Sequence, residues 1–167
     1  MADITIALAG NPNAGKTTIF NALTGLHQHT GNWPGKTVEK KEGEIEHGKL
    51  TVNIVDLPGT YSLTAYSPEE IIARDYIIQE RPDVVINVVD ATNLERNLYL
   101  TVQILELDVP VILALNMTDD LQKNGAKINV EQLSQLLGSI PVVQTAANKG
   151  KGIPELINKA VHAARKN

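Results

Sequence analysis

Apolar positions along this 167-residue chain keep two rhythms. Short, nearly continuous apolar runs alternate with longer stretches in which apolar residues recur every three or four positions. The runs read as buried strands, and the stretches read as helices. Ile4-Thr5-Ile6-Ala7-Leu8-Ala9 is the first run, and Ile19, Leu23 and Leu26 follow at helical spacing with Phe20 beside them. His27 to Lys36 reads as a loop, because it holds the breakers Gly31, Pro34 and Gly35. Val38 to Glu46 alternates weakly as a charged strand. His47-Gly48 predicts a tight hairpin turn, and Leu50 to Val55 a more apolar return strand. Ser67-Pro68-Glu69-Glu70 predicts a helix start, with serine as N-cap, proline at the first helical position and glutamate closing a capping box.

The second half repeats the alternation. Val84 to Val89 is a β-branched run suited to a strand covered on both faces. Thr92-Asn93-Leu94-Glu95 predicts another capping box, after which Leu94, Leu98, Val102 and Leu105 mark one helical face. Val109 to Leu115 is a strand, and Val130 to Leu137 a helix stopped at Gly138. Ile140 to Gln144 is a short strand. Pro154 to Ala164 is a closing helix with Leu156, Ile157, Ala160, Val161 and Ala164 facing inward. The expected fold is α/β: a six-stranded, mainly parallel sheet with one antiparallel strand and about five helices on both faces. Residues 1–167 are expected to form a single domain. In such sheets ligands bind beyond the carboxyl ends of the strands.

Composition narrows the classes. Hydrophobic residues make up 43% and charged residues 20%, as in soluble globular proteins. The chain has no cysteine, which excludes disulfides and thiolate metal sites. The net charge is −4 and no basic stripe with interleaved aromatics is present, so nucleic acid is not the expected partner. No apolar run approaches the roughly 20 residues of a membrane helix, and no leader pattern precedes the first strand; the expectation is a soluble chain. His27, His29, His47 and His162 are scattered and read as exposed loop residues rather than a metal cluster.

Two motifs carry the chemistry. Gly10-Asn11-Pro12-Asn13-Ala14-Gly15-Lys16-Thr17 fits G-x-x-x-x-G-K-[ST]. The backbone N–H groups of such a loop cradle phosphates, and its lysine reaches the β- and γ-phosphates. The flanking strand and helix are the context this motif demands. Asn116-Met117-Thr118-Asp119 fits Asn-x-x-Asp. A carboxylate only accepts, so Asp119 suits the N1–H and 2-amino donors of guanine, which adenine lacks as a pair. Together they predict a site for GTP, with hydrolysis to GDP and phosphate. Lys16 supplies fixed positive charge to the phosphates. Thr17 offers a hydroxyl to Mg²⁺, and Thr18 a phosphate contact or a helix start.

Other positions are less specific. Asp56-Leu57-Pro58-Gly59 alone is an ordinary turn after a strand. Following a phosphate loop, it places Asp56 in the Mg²⁺ sphere and brings the Gly59 N–H to the γ-phosphate. A second Mg²⁺ threonine is expected from a loop that orders around the γ-phosphate; Thr37 lies in the right interval, with Thr30 as competitor. In Gln144-Thr145-Ala146-Ala147-Asn148 a backbone N–H is expected to meet guanine O6, with Ala147 as candidate and Ala146 beside it. Trp33, the one tryptophan, is either a partner contact or a loop anchor.

The motif order resembles that of the G-domain GTPases of the P-loop NTPase fold. Gly10 to Thr17, Gly31-Asn32-Trp33-Pro34-Gly35-Lys36-Thr37-Val38-Glu39 with the residues up to Gly43, and Asp56-Leu57-Pro58-Gly59-Thr60-Tyr61-Ser62-Leu63 resemble the ferrous-iron transport protein B family of prokaryotes. The resemblance spans essentially the whole chain. It implies that Thr37 is the second Mg²⁺ threonine, that residues 27–43 and 56–74 are switches, and that Asn13 ligates K⁺. It implies a place on the cytoplasmic face of the membrane, joined to helical and transmembrane domains that carry Fe²⁺. A nucleotide-dependent homo-oligomer is a further partner to look for. Ala14 and Ala146 stand where serine is frequent in the family, and Lys36 where an apolar residue is. Thr60 replaces the water-orienting glutamine of many GTPases, as in the family at large, which predicts slow turnover. Two other readings stay open: a nucleotide-gated binding switch with little catalysis, and a ribosome- or RNA-associated GTPase, which the charge disfavours.

Overall fold

The computed structural model describes residues 2–165. Seven strands join in one sheet among these residues: β1 (Ile4–Gly10), β2 (Gln28–Asn32), β3 (Glu39–His47), β4 (Leu50–Asp56), β5 (Val84–Asp90), β6 (Val111–Asn116) and β7 (Val142–Gln144). Their order is β2-β3-β4-β1-β5-β6-β7. The pairs β4-β1, β1-β5, β5-β6 and β6-β7 are parallel, whereas β2-β3 and β3-β4 are antiparallel. Six helices accompany them: α1 (Lys16–Thr24), α2 (Pro68–Asp75), α3 (Leu94–Leu105), α4 (Thr118–Lys123), α5 (Val130–Leu136) and α6 (Ile153–Arg165). The P-loop arrangement of strand, loop and helix is therefore present at β1 and α1.

The strand alternation explains the layers. Ile4, Ile6 and Leu8 of β1 face a core with Ile19 and Phe20 of α1 and Leu156 and Val161 of α6. Ala7 and Ala9 face the opposite core, with Ile72 of α2 and Leu100 and Ile104 of α3. A central strand covered on both sides is apolar at nearly every position, which is why β1 and β5 read as near-continuous runs.

Several expectations need correction. The segment read as a loop contains β2, whose last four residues are exposed on both faces. It pairs with β3 through backbone alone, from Gln28↔Gly43 to Asn32↔Glu39. With no buried face it has no apolar alternation to betray it, and it makes a seventh strand. The hairpin turn is Gly48-Lys49 rather than His47-Gly48, because His47 still pairs with Leu50. Leu26 is 99% exposed: α1 ends at Thr24, and the Gly25 N–H closes the turn on the Asn21 carbonyl.

The largest difference is at α3. Its buried residues are Asn97, Leu100, Thr101 and Ile104, while Val102 is exposed. The face turns inward around two polar side chains that an apolar count passes over. Thr92 does not cap this helix; its N–H and hydroxyl donate to Asp90 Oδ1 across a short 3-10 turn. Asn97 does the tying instead, accepting from the Asp90 N–H at 3.1 Å and donating to the Asn93 carbonyl at 2.9 Å. At α2 the predicted cap holds, since Ser67 accepts from the Glu70 N–H. The additional helix, α4, begins within the second motif.

Candidate nucleotide site

The phosphate loop links the end of β1 to the start of α1 beside the carboxyl ends of the parallel strands. Gly15 takes φ 95°, and a Cβ there would sit 2.1 Å from Asn116 Nδ2, so both conformation and space call for glycine. Asn13 also has positive φ, at 69°, and its side chain is exposed. Lys16 is buried and pairs with the Asp56 carboxylate. Burial pushes the Asp56 carboxyl above its ordinary value, and the Lys16 ammonium pulls it part of the way back. The chain after Asp56 lies along the phosphate loop: the Leu57 N–H donates to the Leu8 carbonyl at 3.0 Å and the Thr60 N–H to the Gly10 carbonyl at 3.1 Å.

These contacts assemble one cavity of about 550 Å³, lined by Asn11, Pro12, Asn13, Gly15, Lys16, Thr17, Thr18, Gly59 and Met117. It joins the phosphate loop, the Gly59 turn and the second motif, which lie far apart in sequence. A larger cleft of about 700 Å³ lies against Trp33 and Tyr76 but contains none of those motif residues. The motif residues gather at the smaller cavity, which is therefore the candidate site.

The second motif is built around Asn116, which is buried at the end of β6. Its Nδ2 donates to the Ala14 carbonyl at 3.0 Å. Its Oδ1 accepts from the Thr145 hydroxyl at 2.9 Å and the Ala147 N–H at 3.1 Å. Thr118 donates its hydroxyl to the Thr145 carbonyl at 3.0 Å. Asn116 thus ties together the phosphate loop, its own motif and the Ala146-Ala147 turn. Met117 sits at φ 63° and lets α4 start at once. Asp119 meets Lys149 at 3.1 Å through Oδ2, whereas Oδ1 is buried with no hydrogen-bond partner among the described residues. The Lys149 ammonium, donating to the carboxylate, holds Asp119 below the usual carboxylate range.

Two roles escaped the sequence. Thr145 anchors Asn116 and Lys149 orients Asp119, and neither spacing nor residue type singles them out. Thr37 is not drawn to the cavity: it lies in the exposed bend between β2 and β3. Trp33 is a loop anchor, 6% exposed, with its ring edge-on to Tyr76 at 5.7 Å and Lys40 Nζ 4.9 Å from its centroid.

The donor set suits a hard cation. Thr17 is exposed on the first turn of α1, and the Lys16–Asp56 pair brings the Asp56 carboxylate to the adjacent residue. No group of three or more His, Cys, Asp or Glu could hold a metal among the described residues. One carboxylate and a hydroxyl, completed by water and phosphate oxygens, fit Mg²⁺.

Comparison with known proteins gives one answer. A family model described as ferrous iron transport protein B matches residues 4–160. The Fe(2+) transporter FeoB of Salmonella typhimurium is 54% identical over 160 residues, covering 93% of this chain and 21% of that protein. An S. thermophilus NFeoB mutant crystallised with GDP superposes with a TM-score of 0.91 at 54% identity, over 96% of this chain and 62% of that one. The FeoB G-domain of Methanococcus jannaschii gives 0.87 at 52% identity, over 99% of both chains. The chain spans about a fifth of the length of the curated relatives it matches.

Proposed function

The chain belongs to the ferrous iron transport protein B family, and on that premise we propose that it binds GTP and hydrolyses it slowly with Mg²⁺. The observation that carries the guanine reading is Asp119. Its buried Oδ1 has no hydrogen-bond partner among the described residues, in a motif that Asn116 fastens to the phosphate loop. An unpaired buried acceptor is costly, and the guanine N1–H and 2-amino donors would relieve it. The family's place in iron transport extends this reading: in the full-length protein the nucleotide state would regulate ferrous iron passage, from the cytoplasmic face, through helical and transmembrane domains. A nucleotide-dependent homo-oligomer belongs to the same proposal.

Residue by residue, Gly10 to Thr18 wrap the phosphates with backbone N–H groups, and Lys16 exchanges Asp56 for β- and γ-phosphate oxygens. Asp56 and Thr17, with Thr37 from the bend between β2 and β3, would hold Mg²⁺. When bound, that ion neutralises charge developing on the phosphate oxygens. The Gly59 N–H meets the γ-phosphate. Asn116, Asp119, Met117, Ala146 and Ala147 enclose the base. Asn13, exposed at the cavity rim, would offer its amide oxygen to K⁺. The nucleophile is water, and no covalent intermediate is required.

The second reading, a nucleotide-gated switch with little catalysis, is favoured by one observation. Thr60 stands where a glutamine would orient water, and it is 5% exposed with its N–H committed to the Gly10 carbonyl. Phosphate release from GTP in matched KCl and NaCl, for the native chain and Asn13→Ala, separates the two. K⁺-selective turnover lost in the variant supports the hydrolase. Equal, negligible turnover with GTP still bound supports the switch.

A further inference from the structure

Beyond the Thr60 N–H bond to the Gly10 carbonyl, the segment that follows Gly59 is tethered at three more points, and two of them come from α3. The Leu63 N–H donates to Gln103 Oε1 at 2.6 Å. The Arg96 guanidinium lies over the Tyr61 ring, 4.5 Å from its centroid. The third tether is Glu70, which gathers Ser62 and Thr64. The helix behind these contacts is fixed to the strand that delivers the phosphate loop. The Thr101 hydroxyl donates to Asn87 Oδ1, and Asn87 Nδ2 donates to the Ala9 carbonyl at 3.3 Å, one residue before Gly10. Arg96 therefore projects from a base that cannot shift without β1.

Arg96 makes no ion pair among the described residues, so its charge is not committed to a carboxylate. Tyr61 is 47% exposed, and its position owes little to burial. The two side chains help line a small cavity of about 170 Å³, facing the Asn11-to-Ala14 stretch of the phosphate loop, with Asp90, Asn93 and Asn97 completing the lining. Tyr61 is two residues beyond Gly59, whose N–H is the group assigned to the γ-phosphate.

Building on the GTP-hydrolase reading, we infer that Arg96 is a positioning residue: by stacking on Tyr61 it holds the Gly59-Thr60 backbone in place for the γ-phosphate. Thr60 has no side-chain amide to contribute, and the contact to Tyr61 comes from α3. An exposed cation–π contact shifts an equilibrium by about two- to fivefold. The shift acts on ligands with a γ-phosphate and spares GDP, which does not reach Gly59.

The test is competition binding of GDP and a non-hydrolysable GTP analogue with Mg²⁺, together with single-turnover GTP hydrolysis. The native chain, Arg96→Ala, Arg96→Lys, Tyr61→Ala and the double alanine variant are compared. Arg96→Ala is expected to lower the analogue-to-GDP affinity ratio about fivefold, with GDP affinity and melting temperature unchanged. Tyr61→Ala should match it, the double variant should fall no further, and Arg96→Lys should recover part of the loss. An unchanged ratio in Arg96→Ala overturns the inference, as does a loss of GDP affinity in step with melting temperature. Native chain that binds both nucleotides without turnover sinks the hydrolase reading instead, and the affinity ratio still decides Arg96.

Discussion

Asn116 donates its side-chain amide to the Ala14 carbonyl at 3.0 Å, fastening the base loop to the phosphate loop across 102 residues of chain. The same side chain accepts from Thr145 and Ala147, so it joins three loops in one buried network. Asn116→Ala would leave those partners unsatisfied. The expected loss of folding stability is about 3 kcal/mol, read by urea unfolding, with guanine-nucleotide affinity falling alongside. Native stability in the variant would contradict the network.

Asp119 is the residue proposed to set base choice. Asp119→Asn replaces an acceptor with a group that also donates, which clashes with the 2-amino group of guanine but suits a carbonyl there, as in xanthine. GDP affinity is expected to fall on the order of a hundredfold while xanthosine diphosphate gains. Competition binding of both nucleotides reads the exchange; undiminished GDP binding would remove Asp119 from the base site. Because Lys149 holds the carboxyl low, its stabilising charge persists above the ordinary carboxylate value and is lost only as pH falls through the lower, folded value. Native GDP binding should therefore stay level down to about the ordinary carboxylate pKa.

Asp56 titrates in the opposite sense. Burial raises its pKa in the folded chain, so its contribution to stability is greatest below the unfolded value and is lost as pH rises through the folded one. Lys16 opposes that rise. In Lys16→Met the Asp56 carboxyl should move higher still, and melting temperature should fall more steeply than in the native chain as pH rises above the ordinary aspartate value. Parallel melting curves across that range would show that the pair is not coupled.

Glu70 gathers the chain that follows Gly59. Its carboxylate accepts from the Ser62 hydroxyl at 2.9 Å and from the Thr64 hydroxyl at 2.7 Å and N–H at 3.1 Å. The Thr64 hydroxyl leads in lowering its pKa, so the clamp is complete above the ordinary glutamate value and opens as pH falls through the lower folded one. Glu70→Ala should speed amide hydrogen exchange across residues 62–67 and leave β1 and β5 protected. Unchanged exchange in that segment would show that other contacts hold it.

Much of this was legible in the sequence, for identifiable reasons. Apolar period located β1, β5, β6 and α6, because each buries a continuous face. The phosphate loop and Asn116-to-Asp119 announce themselves because their chemistry needs fixed residue types at fixed spacing. β2 was invisible because it buries no face, and the inward face of α3 was misread because Asn97 and Thr101 turn polar atoms into the core. Lys149 and Thr145 act through contacts that only the folded chain creates.

Guanine recognition joined to phosphate binding can be read by calorimetric titration of the native chain with GDP, GTP and ATP in the presence of Mg²⁺. One site for GDP and GTP is expected, with ATP affinity lower by on the order of a hundredfold, since adenine cannot supply two donors to Asp119. ATP binding as tight as GTP would contradict it.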